Sequence, residues 1–453
     1  MRAAPPALPG AQTSDSPIDR ALTLLLADEG EAALRWSAAM VERDPAMPSA
    51  LVITCRLLAQ MGRTEAAVEG FQLAVRRAID AGNLPLAIAA IGDLHVLGVD
   101  VDEALDQVAG AFCEGSPRVQ EGVTPPPPLP HDETFQPLSS FLTGPALTSK
   151  ATQIVHAATS AWEESSGADL PTVAPLPLFS ALRREALREL VASFEMITVP
   201  AGQVVIEEGQ EGSEAYIVAR GELEVTRRAA DDDGAPPVTL ARLTSGALFG
   251  EMALISRAPR AASVVTSRAS ILLRATREAL EAVAQRRPEV GIELAAHCRR
   301  RMVANLARTS PVLVAVPPAE RLTLVQCFQT RIFEKGDRLL TEGEDAPGLH
   351  LVASGQVAVV AHDKGEPVVL ATLPPGETVG EVALVLRRKA NADVIAVHPT
   401  VTLFLPREEF LSIVQEHPAI LHGLYVTAVN RDDETTLALS AAPAAVADDY
   451  ILL

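Results

Sequence analysis

The spacing of hydrophobic and polar positions changes along the chain from a helical period to a strand-like one. Between residues 17 and 115, apolar side chains recur at i, i+4 and i+7, the spacing of one helix face. Three similar segments in this region end at Gly30, Gly62 and Gly98, which lie 32 and 36 residues apart. The helix after each glycine carries small and large apolar residues on one face, a pattern that favours stacked helical hairpins with a shared core. We therefore expect an N-terminal α-solenoid of helical hairpin repeats, with a generic helical bundle as the alternative.

From about residue 178, the pattern turns to short apolar runs separated by glycines. Glycine adopts positive φ without steric cost, so it marks tight turns between strands. Many short strands with regularly spaced turns favour an antiparallel roll or jelly-roll barrel. The strands expected in this first roll are Ile197 to Val199, Val204 to Glu207, Ala215 to Ala219, Leu223 to Arg227, Thr239 to Leu243, Ser263 to Thr266 and Ile271 to Arg274.

The residues after 309 repeat the glycine framework of the first roll. Three glycines recur 134 positions later, and a Gly-Glu pair recurs 130 positions later, so one hairpin of the second copy is four residues shorter. Surface loops vary in this way while the strand framework is kept. The sequence therefore predicts two β-rolls, each with flanking helices. The repeated positions are Gly202 and Gly336, Gly209 and Gly343, Gly221 and Gly355, and Gly250-Glu251 and Gly380-Glu381.

These patterns divide the chain into six segments. Proline removes a backbone donor and disfavours helix in the residue before it, so the proline-rich stretch is expected to be an extended linker with one helix. The expected segments are 1–16 as a disordered N-terminus, 17–115 as helical repeats, 116–175 as the linker, 176–308 as the first roll, 309–430 as the second roll and 431–453 as an acidic, alanine-rich tail.

The segment from Phe249 to Val265 has the composition of an anion-binding turn. Gly250 lets the backbone approach a ligand closely, and Glu251 to Ile255 can form a short helix whose free N–H groups face a phosphate. Arg260 supplies a planar fork of donors that matches phosphate oxygens. Each residue alone would suit a helix cap or a solvated loop, but together they predict a site for a small anionic ligand.

This order of residues resembles the phosphate-binding cassette of cyclic-nucleotide-binding domains, and the glycine framework of residues 178–308 resembles the same family. The resemblance implies that Glu251 holds the ribose hydroxyl and that Arg260 holds the cyclic phosphate. In that family, a Ser or Thr directly after the arginine tends to accompany a preference for cGMP, so Ala261 at this position implies cAMP. The ligand-binding residues that the resemblance implies are Gly250, Glu251, Met252, Ala253, Arg260, Ala261 and Ser263.

The second cassette keeps the spacing of the first and loses its chemistry. Ala390 stands where the first cassette has its arginine, and Asp393 adds a negative charge where a phosphate would arrive. Lys389 or Arg388 could reach in, but a lysine lacks the fork of donors. Removal of one member of a buried charged pair costs about 2–5 kcal/mol. We therefore expect a retained fold with lost or altered ligand binding at the degenerate second site, formed by Gly380, Glu381, Lys389 and Ala390.

Composition and charge narrow the classes of partner, location and function that fit this chain. The net charge of −20 opposes nucleic acid or an anionic membrane as the main partner. The four cysteines form no CxxC pair, which favours free thiols. The apolar run at the N-terminus is broken by prolines, unlike that of a signal peptide, which favours a cytoplasmic location. No apolar run reaches about 18 residues, so no membrane span is expected. The nine histidines show no metal-ligand spacing and no catalytic motif is present, so we expect neither metal, cofactor nor enzyme activity.

Together these features predict a cytoplasmic cyclic-nucleotide sensor and adaptor. The N-terminal repeats resemble tetratricopeptide repeats and would dock an unidentified protein partner, with residues 276–308 as the coupling element. Two alternatives stay open. One is a ligand-independent scaffold with vestigial nucleotide sites, and the other is a regulatory subunit of the cAMP-dependent kinase type, which tandem rolls also resemble. The string Arg227-Arg228-Ala229-Ala230 resembles a kinase inhibitor segment but lies at a strand end, and the roughly 20 residues after the second roll are too few for a DNA-reading domain.

Overall fold

Two compact units make up the chain. The first contains residues 1–208, 214–251 and 262–294, and the second contains residues 209–213, 252–261 and 295–453. The computed structural model describes residues 16–122, 135–165, 171–228, 237–314, 316–317, 321, 324, 327–363, 366–416 and 418–441.

Six helices open the first unit, and each packs against the next. They are α1 (Pro17–Leu26), α2 (Gly30–Arg43), α3 (Pro48–Gln60), α4 (Thr64–Asp80), α5 (Leu84–Val96) and α6 (Asp102–Phe112). The predicted glycine pattern holds at Gly62 and Gly98, which follow α3 and α5 with φ of +77° and +76°. The helix predicted after Gly30 is also present as α2, but Gly30 itself begins it, and Asp28 takes the left-handed conformation after α1 with φ of +61°.

The described part of the 116–175 segment contains one long helix, α7 (Gly144–Ser165), which packs on α2, α3 and α4. Ile154 and Ala158 are buried, in keeping with an apolar face at helical spacing. The same helical spacing predicts that Trp162 is buried, but this side chain is only half-buried, and the Arg76 guanidinium lies 4.8 Å from the centre of its ring. Residues 123–134, with the run of four prolines, lie outside the described residues.

The first roll follows the helix α8 (Arg184–Ala192) and has eight strands. They are β1 (Glu195–Val199), β2 (Val204–Ile206), β3 (Glu214–Arg220), β4 (Leu223–Arg227), β5 (Val238–Leu243), β6 (Leu248–Phe249), β7 (Ser263–Thr266) and β8 (Ser270–Thr276). Every pairing is antiparallel, and the strands form two sheets in the orders β1-β8-β3-β6 and β2-β7-β4-β5. This is the pairing of a jelly roll, so the predicted antiparallel roll is confirmed.

The second roll repeats that topology. Its strands are β9 (Gln329–Phe333), β10 (Arg338–Leu340), β11 (Gly348–Ser354), β12 (Val357–Asp363), β13 (Glu366–Leu373), β14 (Thr378–Val379), β15 (Asp393–Ala396) and β16 (Thr400–Pro406). They form the sheets β14-β11-β16-β9 and β10-β15-β12-β13. The glycines expected to repeat share positive φ, for example Gly209 at +83° and Gly343 at +80°. The internal duplication is therefore visible in the backbone as well as in the sequence.

Buried ion pairs tie the N-terminal helices to the frame of the first roll. Asp19 on α1 is 3% exposed and accepts hydrogen bonds from Arg220 (2.6 Å) and Arg268 (3.0 Å). Burial alone would raise the pKa of Asp19, but these two guanidinium groups and the Ser16 hydroxyl hold it below its usual value. The sheet β1-β8-β3-β6 also packs against α5. The helices and the first sheet therefore share one buried boundary.

Helices follow each roll. After the first come α10 (Arg277–Arg286), α11 (Pro288–Thr309) and the short α12 (Pro311–Val314), with the break at Pro288 that the sequence predicts. Beyond α12, the described helices are α13 (Glu381–Val385), which lies before β15, and α14 (Arg407–Glu416) and α15 (Pro418–Ala441), which follow β16. The tail expected from residue 431 is wrong in its first part, because residues 431–441 continue α15. Among the described residues, no helix combines the length and hydropathy needed to cross a membrane.

Candidate functional site

Each roll carries a cassette between its sixth and seventh strands. Gly250 and Gly380 precede the cassette helices with φ of +79° and +93°. At Gly380, a Cβ would lie 2.7 Å from the carbonyl oxygen of Gly348, so glycine is required there for space as well as for conformation. The first cassette helix, α9, spans Met252–Ser256, one residue later than predicted, and the buried Glu251 lies in the turn before it.

Arg260 is held by its own backbone in a fixed loop. Its carbonyl oxygen accepts the N–H of Gly209 at 2.9 Å, and its N–H donates to the carbonyl oxygen of Gln210 at 2.8 Å. Its side chain is half-buried and runs across Gly212, where a Cβ would lie 2.1 Å from the Arg260 Nε. The structure thus brings together Arg260 and the loop 209–212, and it gives Gly212 a role that the sequence did not reveal.

The other residues of the predicted first site have different surroundings. Met252 is half-buried and Ala253 is buried, whereas Ala261 is exposed. The Ser263 hydroxyl oxygen accepts the backbone N–H of Glu208 at 3.0 Å, so this side chain stabilises the adjacent strand end.

The second cassette has the same loop without its cation. The carbonyl oxygen of Ala390 accepts the N–H of Gly343 at 2.8 Å, and the Ala390 N–H donates to the carbonyl oxygen of Glu344 at 2.8 Å. These two bonds repeat those of Arg260, so the predicted alignment of Arg260 with Ala390 is confirmed by the backbone. In the second roll, Ala346 occupies the position equivalent to Gly212. The facing loop has Ala390 in place of the arginine, so no guanidinium has to pass across residue 346.

Neither basic neighbour substitutes for the missing arginine. Arg388 forms an ion pair with Asp432 on α15, and Lys389 is exposed. Asp393 is buried, and its Oδ1 accepts the N–H of Glu342 at 2.7 Å. Its Oδ2 forms an ion pair with Arg338 Nη2 at 3.3 Å. Asp393 therefore takes the structural place that Ser263 has in the first roll and adds a carboxylate to this corner.

Helix α15 supplies a residue of the second site that the sequence did not indicate. Arg431 Nη1 donates to Glu381 Oε1 at 2.5 Å and to the carbonyl oxygen of Thr378 at 2.5 Å, and Nη2 donates to Glu377 Oε2 at 2.5 Å. Burial raises the pKa of Glu381, while the Arg431 charge and hydrogen bonds oppose that rise. In the sequence, Arg431 is distinguished only as a basic residue at the start of a segment dominated by acidic and small residues.

No group of three or more His, Cys, Asp or Glu side chains suited to a metal ion occurs in the part of the chain that the structure describes. The buried thiols include Cys55, whose pKa is raised by burial and by the nearby carboxylates of Asp93 and Glu69.

Both rolls match a known family of protein domains. Residues 196–287 and 330–417 each match the family described as "Cyclic nucleotide-binding domain". The chain is 32% identical over 219 residues to the cAMP-dependent protein kinase regulatory subunit of Yarrowia lipolytica, a match that covers 48% of this chain and 54% of that protein. It is 27% identical over 256 residues to cGMP-dependent protein kinase 2 of Mus musculus, covering 55% of this chain and 31% of that protein.

Among solved structures, the chain is similar to the regulatory domain of Toxoplasma gondii PKA with cAMP. The sequence identity is 25% and the TM-score is 0.28, and the match covers 56% of this chain and 92% of that one. The chain spans about half the length, or less, of the two curated relatives named above.

Proposed function

We propose that this chain, which carries two cyclic nucleotide-binding domains, is a cytoplasmic regulatory protein without catalytic activity of its own. In this proposal the first roll binds a cyclic nucleotide, cAMP in preference to cGMP, and its occupancy is relayed to a protein partner. The observation that carries the proposal is the fixed loop of Arg260, whose side chain lies along the open backbone of Gly212. A guanidinium held in this way presents a preorganised fork of donors to a phosphate.

The remaining cassette residues support the same ligand. Glu251 is 1% exposed and precedes α9, where a carboxylate can accept a sugar hydroxyl. Ala261 provides no hydroxyl beside Arg260, which supports cAMP over cGMP as part of the proposal. The expected site residues Gly250, Met252, Ala253 and Ser263 remain predictions.

The relay is proposed to use helices. Helices α1–α6 pack pairwise in chain order, as helices of a tetratricopeptide-like solenoid would, and offer a surface for a protein partner. Within the first unit, α10 contacts β8 and α8, and Glu189 on α8 accepts hydrogen bonds from both Arg286 (2.8 Å) and Arg287 (2.8 Å). A ligand that favours one position of the 276–308 helices would shift their equilibrium by its difference in affinity for the two states.

A kinase-regulatory subunit is the second candidate function. It is favoured by the curated relatives, among which is a cAMP-dependent protein kinase regulatory subunit. The proposed partner would then be a kinase catalytic subunit. Of the inhibitor-like string, Arg227 ends β4 and Ala229-Ala230 lies outside the described residues, so this candidate rests on similarity rather than on that string.

The first experiment compares thermal unfolding of the full chain with cAMP, with cGMP and without nucleotide. We expect cAMP to raise the unfolding temperature at lower concentration than cGMP, and Arg260→Ala to abolish the effect of both. An unchanged shift in Arg260→Ala would contradict the proposed site. A kinase catalytic subunit added to the wild-type chain then separates the two candidates, because inhibition relieved by cAMP is expected only of a kinase-regulatory subunit.

A further inference from the structure

A short segment of the first unit, residues 135–143, lies against α2 and is fixed there at both ends. We call this segment the strap. At its start, the Phe135 ring stacks on Trp36, with 5.9 Å between the ring centres. Towards its end, Arg35 Nε on α2 donates to the carbonyl oxygen of Leu142 at 3.0 Å. Because a ring contact and a hydrogen bond to the backbone hold it, the strap presents a surface of defined shape.

The strap exposes one phenylalanine almost completely. Phe141 is 94% exposed, and it lies in a tight turn. In this turn the N–H of Leu142 donates to the carbonyl oxygen of Ser139 at 3.0 Å, and the N–H of Phe141 donates to the Ser139 hydroxyl oxygen at 3.3 Å. Directly after the strap, the N–H of Gly144 donates to Glu31 Oε1 on α2 at 2.9 Å. An aromatic ring on such a fixed turn offers a large apolar contact at little conformational cost.

An open groove of about 300 Å³ lies between α2 and the strap. Its apolar lining includes Ala39 on α2 and Phe135 and Leu138 on the strap. Glu42 and Arg43, both exposed on α2, add one charge of each sign to the lining. The groove thus combines apolar surface with polar groups at its edge, which is the form of a pocket that receives an anchoring side chain.

We propose that this surface pairs two copies of the chain, with Phe141 of each copy in the groove of the other. A twofold contact requires that one surface carry both the inserting group and the groove that receives it. Phe141 and the groove residue Leu138 are three positions apart on the same fixed segment. A single exposed apolar side chain is common on monomers, and the matching groove beside it is what distinguishes Phe141.

The charges around the groove suit a second copy as the occupant. Glu42 and Arg43 are neighbours on α2, so a twofold axis can set each of them against the opposite charge of the other copy. The net charge of −20 on each chain opposes association at long range, and salt screens this repulsion. We therefore expect a weak pairing that strengthens as the salt concentration rises to the physiological value.

The test is sedimentation equilibrium of the full chain at about 0.15 M salt, where charges more than about 8 Å apart are screened. Between about 1 and 100 µM, a range that covers weak specific binding, the mass should rise from the 47.8 kDa of one chain towards twice that value. Phe141→Ser removes both anchors of the dimer and should weaken association at least about hundredfold. The matched control is Val96→Ser at the end of α5, an apolar residue that is 80% exposed, and it should leave association unchanged.

A second variant tests the groove itself. Ala39→Gln extends a longer side chain into the groove, and glutamine is a good helix former, so α2 should be retained. This variant should also weaken association at least about tenfold. In an equal mixture of Phe141→Ser and Ala39→Gln chains, one intact anchor meets one open groove. The mixture should therefore associate more strongly than either variant alone.

Four results would overturn the proposal. They are a wild-type chain that stays monomeric up to about 100 µM, a Phe141→Ser chain that associates as strongly as wild type, a mixture that associates no better than its components, and assemblies that grow beyond the dimer. The last would show a head-to-tail contact instead of a twofold one. Because Phe141 is exposed, its variant decides the matter even if Ala39→Gln fails to fold. Nucleotide binding by the first roll is measured separately and does not depend on any of these results.

Discussion

At the residue scale, the proposed first site depends on a position that has no side chain, Gly212. Gly212 leaves open the volume through which the Arg260 side chain passes, and the second roll has Ala346 at this position and Ala390 in place of the arginine. The two differences belong together, because a methyl group at 212 and an arginine at 260 compete for the same space. The proposed binding in the first roll therefore rests on a pair of positions rather than on Arg260 alone.

Gly212→Ala tests this pairing. Gly212 does not need positive φ, so we expect the free energy of unfolding to change by no more than about 0.5 kcal/mol. The displaced guanidinium should weaken cyclic nucleotide binding about tenfold or more in an equilibrium titration. The control is Gly92→Ala on α5, where a Cβ makes an ordinary 3.6 Å contact with Met196, and which should leave affinity unchanged. Equal affinity of Gly212→Ala and wild type would refute the pairing.

A second residue sets a pH dependence in the second roll. His350 is 3% exposed, its Nδ1 lies 3.0 Å from Thr402 Oγ1, and burial, with the charge of Arg331, lowers its pKa to about 4. The unfolded chain binds this proton near the usual pKa of about 6.5, so the unfolded state takes up more protons between those values. The second unit should therefore lose stability as pH falls from 6.5 to 4, by up to about 3 kcal/mol for this group.

The measurement is denaturant unfolding of the second unit at several pH values. His350→Gln keeps a hydrogen-bonding side chain that cannot be protonated, so it should roughly halve the slope of stability against pH. The remaining slope is expected from His297, whose pKa is also lowered to about 4, by burial and by Arg301 and Arg300. An unchanged slope in His350→Gln would contradict the assignment.

At the element scale, α1 is joined to the first roll by charge. Asp19 pairs with the guanidinium groups of Arg220 and Arg268, which lie 201 and 249 positions later in the chain. Removing the carboxylate leaves Arg220 and Arg268 without their shared partner in a site only partly open to water. The N-terminal helices and the roll are thereby expected to unfold as one cooperative element.

Asp19→Asn should lower the free energy of unfolding of the first unit by about 2–4 kcal/mol, because it leaves buried cations unpaired. The matched control is Glu29→Gln, an exposed residue at the start of α2, expected to change stability by less than about 0.5 kcal/mol. Chemical denaturation followed by far-UV circular dichroism measures both. Similar stability of the two variants would show that the ion pair is not structural.

The same elements show how far the sequence reaches. Strands Leu223–Arg227 and Ser263–Thr266 were predicted at their observed bounds, because side-chain alternation and glycine turns are local signals. The alignment of Arg260 with Ala390 was likewise readable from spacing alone. Asp19 and Arg431 were missed because their partners are 50 to 249 positions away and no local pattern marks them. The helix in the first part of the predicted tail was missed for the same reason, since the residues that its Arg431 binds, Glu381 and Glu377, are also distant in sequence.

At the scale of the whole molecule, the chain contains two copies of one framework and has the cassette arginine in only one of them. Two jelly rolls share topology, turn glycines and the backbone bonds of the cassette loop. They differ in the guanidinium of Arg260, in the carboxylate of Asp393 and in the helix that delivers Arg431. A common frame with different cassette residues allows the two rolls to have different roles.

The most direct measurement of this account is the stoichiometry of cAMP binding by isothermal titration calorimetry, with wild-type chain and Arg260→Ala. We predict one cAMP per wild-type chain, with a dissociation constant in the micromolar range or tighter, and affinity at least about tenfold weaker in Arg260→Ala. Two equivalent sites per chain, or undiminished binding by Arg260→Ala, would contradict the claim that only the first roll retains the phosphate site.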